Sequence, residues 1–184
     1  NIYCDTLNFH NFSDNVIGNS DRLKVRIRWY GETFCLVEEP ILEFKIKSGS
    51  VGRKEYFKMR PLSISKKTTA NNLYQEINNI KVTSAAKKIL LLTKPVLINN
   101  YIRRYFISSC KNFRITFDTN LMFYSFLGKK LNAVSANQNI LEIKFNKNNL
   151  IKSRNITSYF PFRLSKSSKY LTGINLLSSM PEIY

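Results

Sequence analysis

The chain has 184 residues, of which 43% are hydrophobic, and a formal net charge of +17. The length supports a domain with a substantial core, and the apolar content excludes a disordered chain. The charge favours a polyanionic partner (nucleic acid, an acidic membrane surface, nucleotide or polyphosphate) without choosing among them.

In chain order, residues 1–6 read as an extended entry. His10 to Asp21, rich in Asn, Ser, Asp and Gly, reads as a connection. From Arg22 to Tyr30 every second side chain is cationic until the Trp-Tyr pair. Side chains alternate along a strand, so Arg22, Lys24, Arg26 and Arg28 share one face and Leu23, Val25, Ile27 and Trp29 the other. Like charges about 7 Å apart along one face repel one another, so the face makes sense if a polyanion lies along it. For one strand alone, a solvated outer face is the simpler reading.

The pattern repeats. Strands are predicted at about 22–30, 34–37, 41–47 and 53–60, with turns at Gly31 and Ser48-Gly49-Ser50. Glu43, Lys45 and Lys47 alternate with Leu42, Phe44 and Ile46, and Lys54, Tyr56, Lys58 and Arg60 alternate likewise. Residues 61–71 form a polar linker opened by Pro61. From Leu73 to Leu92 the period becomes helical, weakened at Val82-Thr83-Ser84 and ended by Pro95. Strands resume at 96–106, 112–118 and 139–146, with a weaker segment at 121–126. Arg114, Thr116 and Asp118 oppose Phe113, Ile115 and Phe117; Glu142 and Lys144 oppose Leu141, Ile143 and Phe145. A second helix is expected within 149–178, bounded by Pro161 and Gly173. Five strands with one charged and one apolar face imply one curved sheet. If it closes into a barrel, the lumen is polar and the apolar exterior is covered, since soluble proteins rarely expose so large an apolar surface.

The three cysteines, Cys4, Cys35 and Cys110, form no Cys-x-x-Cys pair, which reads as reduced thiols in an intracellular, cytoplasmic setting. His10 is the only histidine and reads as an ordinary surface or turn residue, so zinc is not expected. A catalytic metal would be a hard cation on carboxylates. No apolar run approaches a membrane span, and no signal peptide is visible. The first residue is Asn1 rather than Met, so the native protein is expected to extend upstream or to have been processed.

Six segments together resemble the polyphosphate polymerase domain of the vacuolar transporter chaperone (VTC) family. They are KVRIRWYG from Lys24, LEFKIK from Leu42, PVLINNYIRRYF from Pro95, RITFDTNL from Arg114, ILEIKF from Ile140 and SKYLTG from Ser168. Their joint order spans nearly the whole chain, as one domain over 1–184. The resemblance implies an α+β fold of the triphosphate tunnel superfamily: a closed antiparallel β-barrel with a basic lumen and flanking helices. The family's first tunnel strand, which alternates acidic and basic residues, has no counterpart before Asp5, so that strand is expected to be missing from this chain. The resemblance also implies roles. Arg26, Arg28, Arg103 and Arg114 match phosphate-binding arginines. Lys45 matches a tunnel lysine and, with Arg26 and Arg28, a catalytic position. Lys166 and Lys169 match lysines at a tunnel end, and Lys54 and Lys144 join the phosphate-binding set, Lys54 most loosely. Glu142 matches the metal-binding glutamate, for Mn²⁺ or Mg²⁺.

The implied reaction is metal-dependent transfer of the γ-phosphoryl group of ATP to a growing polyphosphate chain, with release of ADP. The partners would be ATP or another triphosphate and inorganic polyphosphate, with no specific nucleic acid. Guanidinium forks suit such phosphate chains, and phosphoryl transfer mainly needs positioning and charge neutralisation. Glu43 reads as an offset to neighbouring cations ahead of a second metal ligand. Three alternatives stay open. One is an inorganic or nucleoside triphosphatase of the same superfamily. Another is a polyphosphate-binding member without turnover. The third is a non-enzymatic RNA- or DNA-binding module, for which Tyr101, Arg103 and Tyr105 would offer a stacking platform.

Overall fold

A computed structural model describes residues 1–127, 131–149 and 156–179. The architecture is α+β. An eight-stranded antiparallel sheet runs in the order β10-β8-β7-β1-β2-β4-β5, with β9 added to β8. Its strands are β1 (Ile2–Asp5), β2 (Arg22–Arg28), β4 (Ile41–Ser48), β5 (Val51–Lys58), β7 (Lys94–Ile107), β8 (Phe113–Ser125), β9 (Ala133–Ser135) and β10 (Ile140–Phe145). A separate small ladder joins β3 (Leu36–Val37) to β6 (Leu62–Ser63). The longer helices among the described residues are α1 (His10–Ile17), α2 (Ala70–Asn78), α3 (Ser84–Leu92) and α4 (Lys169–Ser178). Among the described residues no ladder joins the edge strands β5 and β10 across the seam between them.

The alternation in β2 and β4 builds the core. Val25, Ile27, Leu42 and Phe44 are fully buried on the outer face beneath Leu73 and Ile77 of α2 and Ala86 and Leu90 of α3. Burial of this kind is worth about 1.5–3 kcal/mol per large side chain. The predicted continuous helix over 73–92 is two helices. Thr83 starts the second by accepting a hydrogen bond from the Ala86 amide through its side chain, at the Val82-Thr83-Ser84 weak point. The predicted strands 112–118 and 121–126 are one continuous strand, β8, with Asn120 at φ 54° inside it.

Three expectations are corrected. Residues 2–5 are not merely an entry but a strand in the middle of the sheet, between β2 and β7. His10 to Ile17 is a helix, not a connection. Its amino-terminal amides are held from outside the helix, since the Asp5 carboxylate accepts from Asn11 N–H and Phe12 N–H, both at 2.9 Å. Gly173 does not bound the last helix but lies inside it. A Cβ there would stand 2.5 Å from Phe123 Cδ1 and 2.7 Å from Leu97 Cδ2, so glycine is what lets α4 approach the sheet.

That approach positions the site. Tyr170 and Ile174 of α4 pack with Tyr3, Leu97, Leu121 and Phe123 in a second core, joined by Phe9 and Phe12 at α1. Tyr3 pairs with Arg26 and with Leu97, so this core occupies part of the sheet's charged face. Asp5 ties it together, accepting from Thr6 N–H and the two α1 amides and from the Tyr170 hydroxyl. The outer face is less covered near the seam, where Leu141 of β10 remains 37% exposed.

Candidate functional site

A cavity of about 420 Å³ occupies the rest of the charged face. Both edge strands contribute to it, Lys54 from β5 and Glu142 and Lys144 from β10, so the sheet curls around it. Strand β2 supplies Lys24, Arg26 and Arg28; β4 supplies Glu43 and Lys45; β7 supplies Arg103; α4 supplies Lys169. The period of two that puts cations on one strand face becomes, across the ladders, a wall of cations. Eight cationic side chains thus line the cavity against two carboxylates, Glu43 and Glu142.

The cations are organised by buried acids. Glu43 is 1% exposed and accepts from Arg26 Nη2 at 3.0 and 2.9 Å and from Arg28 Nη1 at 3.4 Å. Burial works against its ionisation, but the Arg26 and Arg28 guanidiniums win and hold its carboxyl below the usual range. This supports the offset role expected of Glu43. Across the cavity Asp118 is fully buried and accepts from Arg103 Nε at 2.6 Å and Nη2 at 2.7 Å, and from Lys169. Its carboxyl is likewise held low against burial by Arg103 and Lys169. The Asp118 hydrogen bonds raise the Arg103 pKa further, so this fork is permanently charged. Aromatic rings extend the electrostatics. Lys169 Nζ lies 4.5 Å from the Tyr101 ring centre, and the Arg103 guanidinium lies 5.1 Å from it and 5.9 Å from that of Tyr105.

Of the residues expected from sequence, Arg26, Arg28, Lys45, Lys54, Arg103, Glu142, Lys144 and Lys169 line the same cavity. Arg114 and Lys166 are exposed and do not line it; Arg114 lies directly opposite Lys144, at the start of β8. Sequence reading did not single out Asp118, Tyr3, Asn99 or Ser168. The alternation of Arg114, Thr116 and Asp118 put Asp118 on the charged face. Its partner Arg103 is directly opposite on β7, a pairing that only the register reveals.

Two donors of cavity-lining residues, Arg26 Nε and Asn99 Nδ2, are buried without a partner among the described residues. Such groups each cost about 1–3 kcal/mol, which a ligand rich in acceptors would recover. No three His, Cys, Asp or Glu side chains among the described residues converge as a metal cage. Glu142 differs from Glu43 and Asp118. Its side chain is 46% exposed and among the described residues forms an ion pair with Lys144 Nζ alone, at 3.5 Å. A single accessible carboxylate on a cationic wall has the chemistry of a divalent-ion site of the magnesium type, in which one or two carboxylates are completed by ligand oxygens and water.

Fold and cavity define a class: a curled antiparallel sheet whose cationic face lines a cavity. The sequence profile of the VTC domain matches residues 1–178. The chain belongs to the VTC domain family, which is associated with polyphosphate polymerases and the triphosphate tunnel superfamily. No curated protein matches the chain. No helix among the described residues is long and apolar enough to cross a membrane.

Proposed function

We propose that the cavity binds the triphosphate of ATP and the end of a polyphosphate chain, and that the γ-phosphoryl group passes from one to the other with release of ADP. The supporting observation is the surplus of donors: eight cations against two carboxylates, with two further N–H donors buried and unanswered. On this reading the curled sheet is the wall of a tunnel, along whose axis the lengthening product leaves.

Each group has a role that its own geometry supports. Glu43 holds Arg26 through Nη2 and Arg28 through Nη1, and the Tyr30 hydroxyl accepts from Arg28 Nη2, so Arg26 Nε is the donor left for a phosphate oxygen. Asp118 engages Arg103 through Nε and Nη2, so Nη1 remains for substrate. Both forks are held before the ligand arrives, which lowers the cost of positioning it. Lys45 and Lys54 add point charges that follow the phosphates as they shift. Glu142 would hold a Mn²⁺ or Mg²⁺ ion together with phosphate oxygens, and when bound that ion supplies charge neutralisation at the transferring group. The rings of Tyr101 and Tyr105 are already occupied by cations, which favours a phosphate channel over a base-stacking platform.

Incubation of the full chain with ATP, Mn²⁺ or Mg²⁺ and a short polyphosphate primer tests the proposal. Primer lengthening matched by ADP is expected. Orthophosphate without lengthening would mark a triphosphatase instead, and tighter binding of single-stranded RNA than of long-chain polyphosphate would sink both readings. Arg26→Ala should weaken tripolyphosphate binding by at least ~1.5 kcal/mol in calorimetry, the lower range for a hydrogen bond to a charged group. Glu142→Gln should bind ATP nearly as well as the wild type but lose metal-dependent ADP release.

A further inference from the structure

The cations of the cavity fall into two kinds. Arg26 and Arg28 answer Glu43, Arg103 and Lys169 answer Asp118, and Lys144 faces Glu142. Lys24, Lys45 and Lys54 have no ion pair with an acid among the described residues. They form one rung of the sheet. Lys24 is directly opposite Lys45 on β4, and Lys45 is directly opposite Lys54 on β5. Like charges directly opposite destabilise a sheet, and the fold sets no acid in ion-pair contact with the rung among the described residues; Glu43 and Glu142 act on Lys45 only from further away.

Lys24 is the innermost of the three. Its Nζ donates to Ser168 Oγ at 3.1 Å and lies 5.9 Å from the centre of the Tyr3 ring. A hydroxyl and a ring satisfy an ammonium sterically but bring no negative charge. We propose that Lys24 is a further phosphate-contacting residue of this channel. On ligand entry its ammonium leaves Ser168 and joins Lys45 and Lys54 around one phosphate group. The inference rests on the reading of the cavity given above and adds a residue to it.

The surroundings of Lys24 give the proposal a second signature. Burial first, then the charges of Lys45, Arg26, Arg22 and Lys169, push its ammonium down to about 8. The acids on the elements beside β2 are engaged elsewhere. Asp5 of β1 holds α1 amides and Tyr170, and Asp14 of α1 accepts from the Asn19 side chain. A phosphate on the rung favours the charged form, so its arrival raises the Lys24 pKa. Binding should therefore draw a proton onto Lys24 above about pH 8 and none onto it well below that.

Titration calorimetry of the full chain with sodium tripolyphosphate, at about pH 8.5 in two buffers of different ionisation enthalpy, reads affinity and proton count together. Lys24→Met should bind about tenfold more weakly, the loss of one charge-assisted hydrogen bond, and take up fewer protons than the wild type by as much as about one. Lys24→Arg should recover most of the affinity but not the proton uptake, because an arginine stays charged. Lys24→Met with wild-type affinity and proton count overturns the proposal while leaving the cavity's function standing. If Lys24→Met does not fold, Lys24→Arg decides alone: an unchanged proton count overturns the proposal, and retained affinity without uptake sustains it. A wild-type chain that binds no tripolyphosphate overturns the reading of the cavity and this inference with it.

Discussion

Asp5 and Glu43 are both buried carboxylates on the charged face of the sheet, yet their surroundings differ in kind. Asp5 is answered by neutral donors, three backbone amides and the Tyr170 hydroxyl, all from elements that it ties together. Glu43 is answered by Arg26 and Arg28, whose remaining donors line the cavity. Around Asp5 the polar face is closed over by α1 and α4, so the hydrogen bonding ends within the fold. Around Glu43 the surplus points outward. A carboxylate that finishes its network consolidates the fold; one that orients cations leaves the network open for a ligand.

The sharpest break at the closed end is Gly173→Val. The first added carbon already stands 2.5 Å from Phe123 and 2.7 Å from Leu97, so α4 must retreat from both. Overpacking of this sort costs about 3 kcal/mol, read as a lowered midpoint in thermal or urea unfolding. Asp5→Asn should come next. An amide in that pocket turns an NH₂ towards backbone N–H groups, and one buried donor is left unanswered. The expected loss is about 2 kcal/mol. If tripolyphosphate affinity of the folded variants fell as steeply as their stability, the two regions would not be separable in the way proposed.

Glu43→Gln tests the other side. At neutral pH it should cost about 1.5 kcal/mol, the lower range for a hydrogen bond to a charged group. The pH dependence has a fixed sign. The folded-state pKa of Glu43 lies below its ordinary 4.5, so its stabilisation is complete above that value and is lost as pH falls through the lower one. The difference between wild type and variant should therefore be flat from pH 7 down towards 4.5 and shrink on further acidification. A difference that grew with acid would mean that Glu43 is not the ionised partner of Arg26 and Arg28. Asp118 contributes with the same sign in both proteins and drops out of the comparison.

Much of this contrast was legible in the sequence, though unevenly. The cationic wall follows from the period of two in residues 22–28, 41–47, 113–118 and 140–145, because alternation is a local property of a strand. The closed end escaped because its signals are not local. β1 is four residues long and buried on both faces, so it shows no alternation. α1 has no side-chain cap at its own boundary, and its Asn- and Ser-rich sequence resembles a loop; the acceptor for its amides comes from Asp5 in the preceding strand. Gly173 carries the same letter whether it ends a helix or lets two elements touch, and only the position of Phe123 tells them apart. In the cavity, residue types pointed to Arg26, Lys45 and Glu142, but the pairing of Arg103 with Asp118 required the β7–β8 register.

The smallest expected effect sharpens the comparison most. Glu142 lies on the same cavity as Glu43, two ladders from Arg103, and carries the same functional group. Its side chain is about half exposed, against 2% for that of Glu43, and its only ion pair among the described residues is a 3.5 Å approach from Lys144, itself half exposed. Exposed pairs of this sort contribute little, because water already solvates both charges and the side chains lose freedom by meeting. Glu142→Gln should therefore change unfolding free energy by less than about 0.5 kcal/mol. The same substitution is the one expected to abolish metal-dependent ADP release. A carboxylate that the fold does not need, set on a wall where every other acid is buried beneath arginines, is available to a metal-bearing ligand. If Glu142→Gln instead destabilised the chain as much as Glu43→Gln, Glu142 would be a structural counter-ion like the others, and its assignment to the metal would fall.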